Sequence, residues 1–216
     1  MVKEIQTTAE TTDEAIELAL RQLGVERADV EIDVISRGKP GLFGFGGEPA
    51  KVTVKVLDEP NEAVSVPADI LSELLSKMDV SAMANLRSTH NDAYDGPVFE
   101  IEGEDAGLLI GRKGETLRAL QFIVRYISSK TLGYRTNLMI DVENYQQRRY
   151  SSLAKLTEKV AKNVIDSGRP VKLEPMPSNE RRVVHMTLAD HPEVTTESMG
   201  SGDSRQVVVY LKDLSE

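Results

Sequence analysis

A glycine turn with two cations inside it, lying between two apolar segments of helical periodicity, constrains the fold of this chain most strongly. The turn is Gly111-Arg112-Lys113-Gly114, with Ile110 before it and a longer helical segment after it that extends to about Lys130. Glycines let another backbone pass close to such a turn, and the start of the following helix directs unpaired N–H groups outward. The pattern therefore predicts a turn that can hold a phosphate backbone.

The elements around this turn predict a mixed fold for the middle of the chain. A helix is expected from about residue 66, strands at residues 82–88 and 98–102, and a closing strand at residues 137–142. On the long helix an apolar arc of about 80° should face the core; its members are Leu117, Leu120, Val124 and Ile127. Arg118 and Arg125 lie on one line of the same helix and extend the cationic track. The order α-β-β-α-α-β matches a type II KH domain, and KH domains accept about four unpaired bases.

The N-terminal segment predicts the order β-α-β-β. Strands are expected at residues 2–6, 30–34 and 52–56, with a helix capped by residues 12–14. A glycine-rich loop joins the last two strands and contains Lys39, Leu42, Phe43 and Phe45. Two interpretations of it stay open: a long hairpin loop that tucks its phenylalanines onto its own sheet, or a loop that binds a partner or RNA.

The last segment begins with a helix over about residues 144–166, on which apolar and basic side chains form separate stripes. The apolar stripe is Leu153, Leu156, Val160 and Val164. The basic stripe, about 130° away, is Arg148, Lys155, Lys159 and Lys162. Charged residues on a helix usually form a solvated face, but the single sign of this stripe favours contact with a phosphate backbone.

A second helix from Ser178 carries Arg181 and His185 four residues apart, so both side chains project from one face. One interpretation is an exposed pair that contacts phosphate or base beside Arg182. The other is a packed, hydrogen-bonded histidine that holds the helix against the sheet, and spacing alone favours it. A strand at residues 171–174 precedes this helix, and a hairpin of residues 194–198 and 206–211 follows it.

Charge is distributed unevenly along the chain. Its 216 residues carry 26 Lys+Arg against 35 Asp+Glu, a formal net charge of -9, which argues against indiscriminate binding to polyanions. Residues 111–135 nevertheless hold six cations and one acid, and residues 143–185 hold nine cations and five acids. Residues 1–58 hold seven cations and eleven acids. Positive charge is therefore concentrated around the glycine turn and in the last third.

The length indicates two or three small domains, and the short polar linker at residues 58–62 should keep the first two close together. The chain has no cysteine, which excludes disulfides and thiolate metal sites. Its polar N-terminus and the lack of an apolar run near ~20 residues predict neither a signal peptide nor a membrane span. A cytoplasmic protein is expected.

Together these motifs resemble the bacterial RNA-binding protein family called Jag or KhpB. Residues 109–121 are similar to its KH motif, and the glycine-rich loop is similar to the hallmark of its N-terminal Jag domain. The run Glu180-Arg181-Arg182-Val183-Val184-His185 resembles its Arg-x-x-x-His domain, hereafter the R-three-H domain. One departure is Pro177-Ser178-Asn179, where an aromatic residue beside the motif is expected.

The resemblance implies an α+β chain of three small domains in series: a Jag N-terminal domain at residues 1–58, a type II KH domain at 59–142 and an R-three-H domain at 143–216. It implies a protein without catalytic residues, metal or cofactor that binds single-stranded RNA. The nucleic-acid-binding residues predicted from the motifs and the resemblance are Ile110, Gly111, Arg112, Lys113, Gly114, Arg118, Arg125, Arg148, Lys155, Lys159, Lys162, Arg181, Arg182 and His185.

The same resemblance implies bacterial post-transcriptional regulation connected with cell division, cell elongation and envelope formation. It also implies a small single-KH partner protein and a functional neighbourhood with a membrane insertase of the YidC type. A homodimer is a further partner hypothesis.

Two other functions stay open. A nuclease or phosphate hydrolase would use His185 as general base, although the chain has no His-x-Glu or His-Glu-x-x-His motif and no Gly-Lys-Ser/Thr after the turn. An adaptor would dock a protein at the membrane through the first domain, whose acidity and Phe43/Phe45 loop favour a protein over RNA.

Overall fold

The computed structural model describes residues 3–39, 48–57 and 61–212. The chain forms two compact units, Met1–Asn144 and Tyr145–Glu216. The described residues confirm the α+β class and contain three separate three-stranded sheets. Leu42, Phe43 and Phe45 of the predicted partner-binding loop lie outside the described residues, and of Lys39 only the backbone at a strand end is described.

The first sheet has the predicted element order β-α-β-β. Its elements are β1 (Glu4–Ala9), α1 (Thr12–Leu23), β2 (Val30–Lys39) and β3 (Glu48–Val56). The strands are antiparallel in the order β1-β3-β2. β1 extends beyond the predicted residue 6 because its pairing with β3 continues to Ala9, opposite Ala50.

Helix α1 covers one face of this sheet, and its start is fixed by a capping box. Thr11, one residue before the predicted cap, accepts the N–H of Glu14 at 3.2 Å, while the Glu14 carboxylate accepts the N–H of Thr11 at 3.3 Å. The helix ends at Gly24, which has the left-handed φ of 69° that glycine tolerates. The core residues it buries include Ile16 and Leu20 against Ile32 and Val54.

The second sheet and its helices have the predicted order α-β-β-α-α-β. The elements are α2 (Glu62–Lys77), β4 (Met83–Asn91), β5 (Gly96–Glu102), α3 (Ala106–Ile110), α4 (Glu115–Leu132) and β6 (Met139–Val142). β4 and β5 are antiparallel, whereas β5 and β6 are parallel. A parallel pair needs a long crossover, and α3, the glycine turn and α4 supply it. Helix α2 begins four residues before the expected residue 66 and contains Pro67, which is buried.

The buried face of α4 differs by one position from the prediction. Leu117, Leu120 and Val124 are buried as expected, but Ile127 is 37% exposed and Ser128 is buried in its place. The Ser128 hydroxyl donates to the carbonyl of Val124 at 2.7 Å, which satisfies it in the core. A small residue is thus buried there, and Ile127 is left at the surface.

Arg37 of β2 joins the first sheet to the second within the unit Met1–Asn144. Its guanidinium lies 2.9 Å from a carboxylate oxygen of Glu100 and 2.9 Å from one of Glu102, both on β5. Burial raises the pKa of both carboxyls, and the charge of Arg37 opposes that rise. Contact between the two sheets agrees with the short linker.

The unit Tyr145–Glu216 packs two helices on the third sheet. Its elements are α5 (Tyr145–Ser167), β7 (Val171–Lys172), α6 (Ser178–Thr187), β8 (Val194–Met199) and β9 (Gln206–Leu211). The strand order is β7-β9-β8, antiparallel throughout. Within the core lie Leu153, Val164, Val184, Val194 and Val209. β7 is two residues shorter than predicted.

Helix α5 buries a stripe that is displaced around the helix from the predicted apolar stripe, and the predicted Val160 is half-buried. Its buried residues are Leu153, Thr157, Ala161 and Val164, whereas the predicted Leu156 is 47% exposed. Thr157 fits in the core because its hydroxyl donates to the carbonyl of Leu153 at 2.8 Å. In the ranges described, no helix combines the length and the apolar character that a membrane crossing requires.

Candidate nucleic-acid interface

The glycine turn between α3 and α4 has a backbone that only glycine adopts readily at its first position. Gly111 has φ 66° and ψ −167°, and a Cβ there would collide with Oγ1 of Thr116. Gly114 is left-handed, with φ 75° and ψ 17°, and precedes the first residue of α4. The geometry of the turn therefore requires glycine at position 111 and favours it at position 114.

The cations of this turn lie at the start of α4. Arg112 is exposed, and Lys113 has a left-handed backbone with φ 51° and ψ 35°. Ile110 closes α3 and is half-buried. No described side chain caps the start of α4. The N–H of Glu115 donates to the carbonyl of Arg112, and the positive end of the helix dipole lies beside the exposed Arg112. This arrangement suits a phosphate.

Arg118 and Arg125 continue along α4 on the side that faces β6. Arg118 is exposed, but one of its nitrogens donates to the carbonyl of Lys113 at 2.8 Å and so braces the turn. Arg125 is half-buried. Between them Gln121 accepts the backbone N–H of Ile140 at 3.1 Å, which ties α4 to the edge strand. The structure thus joins Arg118 to the predicted turn and places Arg125 on the same flank of α4 as Gln121, which contacts the edge strand.

His185 packs against β8 through both ring nitrogens. Nδ1 lies 2.7 Å from the Thr196 hydroxyl oxygen, and Nε2 lies 2.8 Å from that of Ser198. Burial, followed by the charge of Arg181, lowers the pKa of His185. A neutral ring held by two hydroxyls corresponds to the packed interpretation of this residue. The partners of His185 are hydroxyls, so the geometry shows no carboxylate orienting it as a general base.

Arg181 and Arg182 are adjacent on α6 but differ in their surroundings. Arg181 is half-buried, and its Nε is buried without a hydrogen-bond partner among the described residues. Arg182 is exposed. The two consecutive arginines therefore do not share one surface, and only Arg182 is fully available to a ligand in solution.

The basic stripe of α5 lies on the solvent side of that helix. Arg148, Lys155, Lys159 and Lys162 are all exposed. On a helical wheel they lie opposite the stripe of Leu153, Thr157, Ala161 and Val164, which faces the core. The stripe consequently points away from the core that α6 shares, and the structure does not join it to Arg181 and His185.

The sequence motifs do not include Tyr150, which lies next to the departure at residues 177–179. Its hydroxyl accepts from the Asn179 side-chain amide at 2.8 Å. The same helix pair is fixed by Arg149, which contacts the buried carboxylate of Glu180 at 3.1 and 2.8 Å. An aromatic ring is thus present beside the motif, but it comes from α5, and only the contact between two helices reveals it.

In the described part of the chain, no group of three or more His, Cys, Asp or Glu side chains is arranged to hold a metal ion. The buried acids described above have arginine partners: Glu100 and Glu102 lie at Arg37, and Glu180 lies at Arg149.

Comparison with known proteins gives matches along most of the chain. Three family models match: Jag N-terminus at residues 7–56, the KH domain of KhpA/KhpB at residues 68–140, and the R-three-H domain at residues 151–211. A protein of Bacillus subtilis (strain 168) named RNA-binding protein KhpB is 33% identical over 215 residues, which cover 98% of this chain and 100% of that protein.

Two further relatives have the same name. The protein of Clostridium symbiosum is 29% identical over 209 residues, covering 96% of this chain and 91% of the relative. The protein of Lactiplantibacillus plantarum is 41% identical over 150 residues, covering 69% of this chain and 45% of the relative. The similarity to the first two extends over all three sheets.

Proposed function

The chain belongs to the family of the RNA-binding protein KhpB, and from this premise we propose that it binds single-stranded RNA through its KH and R-three-H domains without catalysing a reaction. The observation that carries the proposal is the turn at Gly111–Gly114, whose two glycines and exposed Arg112 lie beside the start of α4, where no described side chain caps the helix. The names of the relatives support RNA as the ligand.

In the KH domain, the RNA backbone passes over Gly111 and Gly114, where the absence of side chains allows a phosphate to reach the first N–H groups of α4. Arg112 and Lys113 neutralise that phosphate. The following nucleotides lie along the groove between α4 and β6, beside Arg118 and Arg125, and about four unpaired bases fit such a groove. Ile110 supplies an apolar contact at the entrance.

In the R-three-H domain, backbone phosphates contact Arg182 and the exposed stripe Arg148, Lys155, Lys159 and Lys162. His185 mainly holds α6 on β8, and Arg181 and His185 reach RNA at β8, which is an edge strand of the third sheet. When two domains of one chain bind the same RNA molecule, the overall affinity rises, because binding of the second domain is intramolecular once the first is bound.

At the level of the cell, the proposed role is post-transcriptional regulation in the bacterial cytoplasm, linked to cell division, elongation, cell shape and envelope formation. The support for this role is the resemblance to the Jag family. The domain boundaries at residues 58/59 and 142/143 remain part of the same proposal.

A second proposed function, docking of a protein partner, is supported by the outer face of α4. Phe122 and Tyr126 are 58% and 56% exposed and stack with ring centroids 6.3 Å apart, and Ile123 and Ile127 continue this face. Lys130 lies over the Tyr126 ring at 5.7 Å.

The proposed occupant of this face of α4 is the KH domain of a small single-KH protein or of a second copy. Sedimentation of the chain with and without such a protein tests it, and unchanged monomer in both cases would exclude it.

Docking to a YidC-type insertase through the first domain rests on that domain's acidity and on the loop with Lys39, Leu42, Phe43 and Phe45. It stays a prediction, which a pull-down of the insertase with and without Phe43→Ser and Phe45→Ser would test.

The dependence of RNA affinity on salt tests the main proposal. If four cations such as Arg112, Lys113, Arg118 and Arg125 each neutralise a phosphate of a single strand, the logarithm of the binding constant should fall against log salt with a slope of about −3. Fluorescence anisotropy of a labelled unpaired oligonucleotide with the full chain measures it. A flat response would show that the basic surfaces are only solvated.

A further inference from the structure

A groove on the outer side of α6 is separate from the face that carries His185. It is lined by Tyr150 of α5 and by five residues on α6, and its volume is about 520 Å³. The residues from α6 are Asn179, Arg182, Val183, Met186 and Thr187. A volume of this size is sufficient for a nucleobase with part of its sugar.

We infer that this groove binds an unpaired RNA base, stacked against Tyr150 and Met186, with the adjoining phosphate on Arg182. The inference rests on the proposed function, since it assigns a second type of contact to the same RNA. It differs from the phosphate contacts proposed above because it would recognise the base itself.

The aromatic ring is held in place before any ligand arrives. The Tyr150 hydroxyl accepts a hydrogen bond from Asn179 at 2.8 Å, and the neighbouring Arg149 contacts both carboxylate oxygens of the buried Glu180. These two contacts join the second turn of α5 to the first turn of α6. A fixed ring loses little conformational freedom on binding, so stacking on it retains most of its favourable free energy.

The chemistry of the lining favours a nucleotide as the occupant. Met186 is 64% exposed and offers a polarizable thioether, and Val183 adds an apolar floor. Arg182 is exposed and supplies the positive charge for a phosphate, while none of the six lining residues is acidic. The Thr187 hydroxyl donates to the carbonyl of Val183 and the Asn179 amide donates to Tyr150, so toward a base edge the hydroxyl oxygen can accept, and the amide can accept and donate its second N–H. An apolar peptide side chain would fill the groove but would leave the charge of Arg182 unused.

The position on α6 separates this groove from Arg181 and His185. Arg182 and Met186 are four residues apart and therefore share a face, whereas His185 is turned toward Thr196 and Ser198 of β8. An RNA that binds in the groove therefore leaves the hydrogen bonds of His185 to Thr196 and Ser198 intact.

The test uses the full chain and a short unpaired RNA that contains 4-thiouridine. Irradiation should crosslink the RNA to a peptide that contains Tyr150 or Met186, identified by mass spectrometry. Tyr150→Leu should weaken binding at least about fivefold, since loss of base stacking on one aromatic ring has at least that effect. Tyr150→Phe keeps the ring and should retain the affinity of the wild type. Tyr94→Leu, in the turn between β4 and β5, is the matched control.

The outcomes separate this inference from the proposed function. If the wild type binds RNA but no crosslink forms in the groove and Tyr150→Leu binds equally well, the base site is overturned and the KH contact stands. If Tyr150→Leu does not fold, Met186→Ala is measured in its place, since it keeps the phosphate contact of Arg182; unchanged affinity and no crosslink in the groove would then overturn the base site. A wild-type chain without RNA affinity would overturn both proposals.

Discussion

At the scale of single residues, His185 is a neutral connector between α6 and β8. Because burial and Arg181 lower its pKa, the folded chain disfavours the protonated ring relative to the unfolded chain, where the pKa is near 6.5. The contribution of His185 to stability is therefore present above pH 6.5 and is lost as the pH falls through the lowered folded value.

NMR titration of the His185 ring in the full chain should give a pKa below 6.5, and the amides of α6 should exchange faster as the pH drops below that value, after correction for intrinsic exchange. In His185→Gln this additional pH dependence should disappear. His191→Gln, at an exposed turn, is the control and should retain it. An ordinary or raised pKa for His185 would contradict the packed interpretation and favour an exposed, cationic contact.

Gly111 is the second residue whose local geometry predicts a measurable effect. Its φ of 66° with ψ of −167° is strained for any other residue, and a Cβ there meets Thr116. Gly111→Ala should cost about 1–3 kcal/mol and weaken RNA binding, because the turn must rearrange. Chemical denaturation followed by circular dichroism measures the cost.

Gly107→Ala provides the matched control, since Gly107 lies in α3 with nothing within 4 Å of an added Cβ. It should leave stability unchanged or raise it by up to about 1 kcal/mol. Equal losses in both variants would show that the glycine turn has no special backbone requirement.

At the scale of elements, the contact between β2 and β5 depends on one arginine. Arg37→Ala should leave the buried carboxylates of Glu100 and Glu102 without their closest cation. We expect a loss of about 1–3 kcal/mol, toward the lower end because the Arg37 side chain is 32% exposed and partly screened. Hydrogen exchange of the β5 amides measures this loss of stability within the unit Met1–Asn144.

Lys77→Ala is the control for that substitution, because Lys77 and Glu73 form an exposed i, i+4 pair whose contribution should be near zero. If both variants lost equally little stability, the buried ion pairs of Arg37 would not stabilise the contact between the first two sheets.

Local patterns were sufficient to predict the order of helices and strands. Capping residues, the alternation of apolar and polar residues in strands and the spacing of apolar residues in helices each depend on only a few neighbouring residues. The parallel pairing of β6 with β5 was not predicted, because it joins strands that are far apart in the sequence. The burial of Ser128 in place of Ile127, and of Thr157 where Leu156 was expected, depends on how closely a helix approaches its neighbour. A single-sequence pattern does not encode that distance.

In the candidate site, too, local motifs could be predicted from the sequence, whereas contacts between elements could not. The turn at Gly111–Gly114 was visible as a motif because four consecutive residues form it. The packed interpretation of His185 was stated from the spacing, but its partners Thr196 and Ser198 were not predicted, because the contact joins α6 to β8. The bracing of the turn by Arg118 is local, and the sequence pattern did not indicate it. Tyr150 and Asn179 are 29 residues apart, and the groove that they border appears only when α5 and α6 pack.

At the scale of the whole molecule, a net charge of -9 coexists with local positive charge at the turn, along α4 and on α5. The acidic residues of the first segment repel a polyanion, so RNA should bind only where cations and close backbone approach coincide. Residues 111–135 combine six cations, one acid and the glycines of the turn. The central claim is therefore that RNA affinity depends on this turn.

The most direct test compares the RNA affinity of the full chain with that of a double variant, Arg112→Asp with Lys113→Asp. Asp tolerates the left-handed backbone at position 113, so the fold should survive. A charge-matched control, Arg21→Glu with Lys77→Glu, alters two exposed helical positions elsewhere. We predict at least about tenfold weaker binding for the first variant, because two phosphate contacts are lost, and little change for the control. Equal affinity of a folded Asp variant and the wild type would contradict the claim.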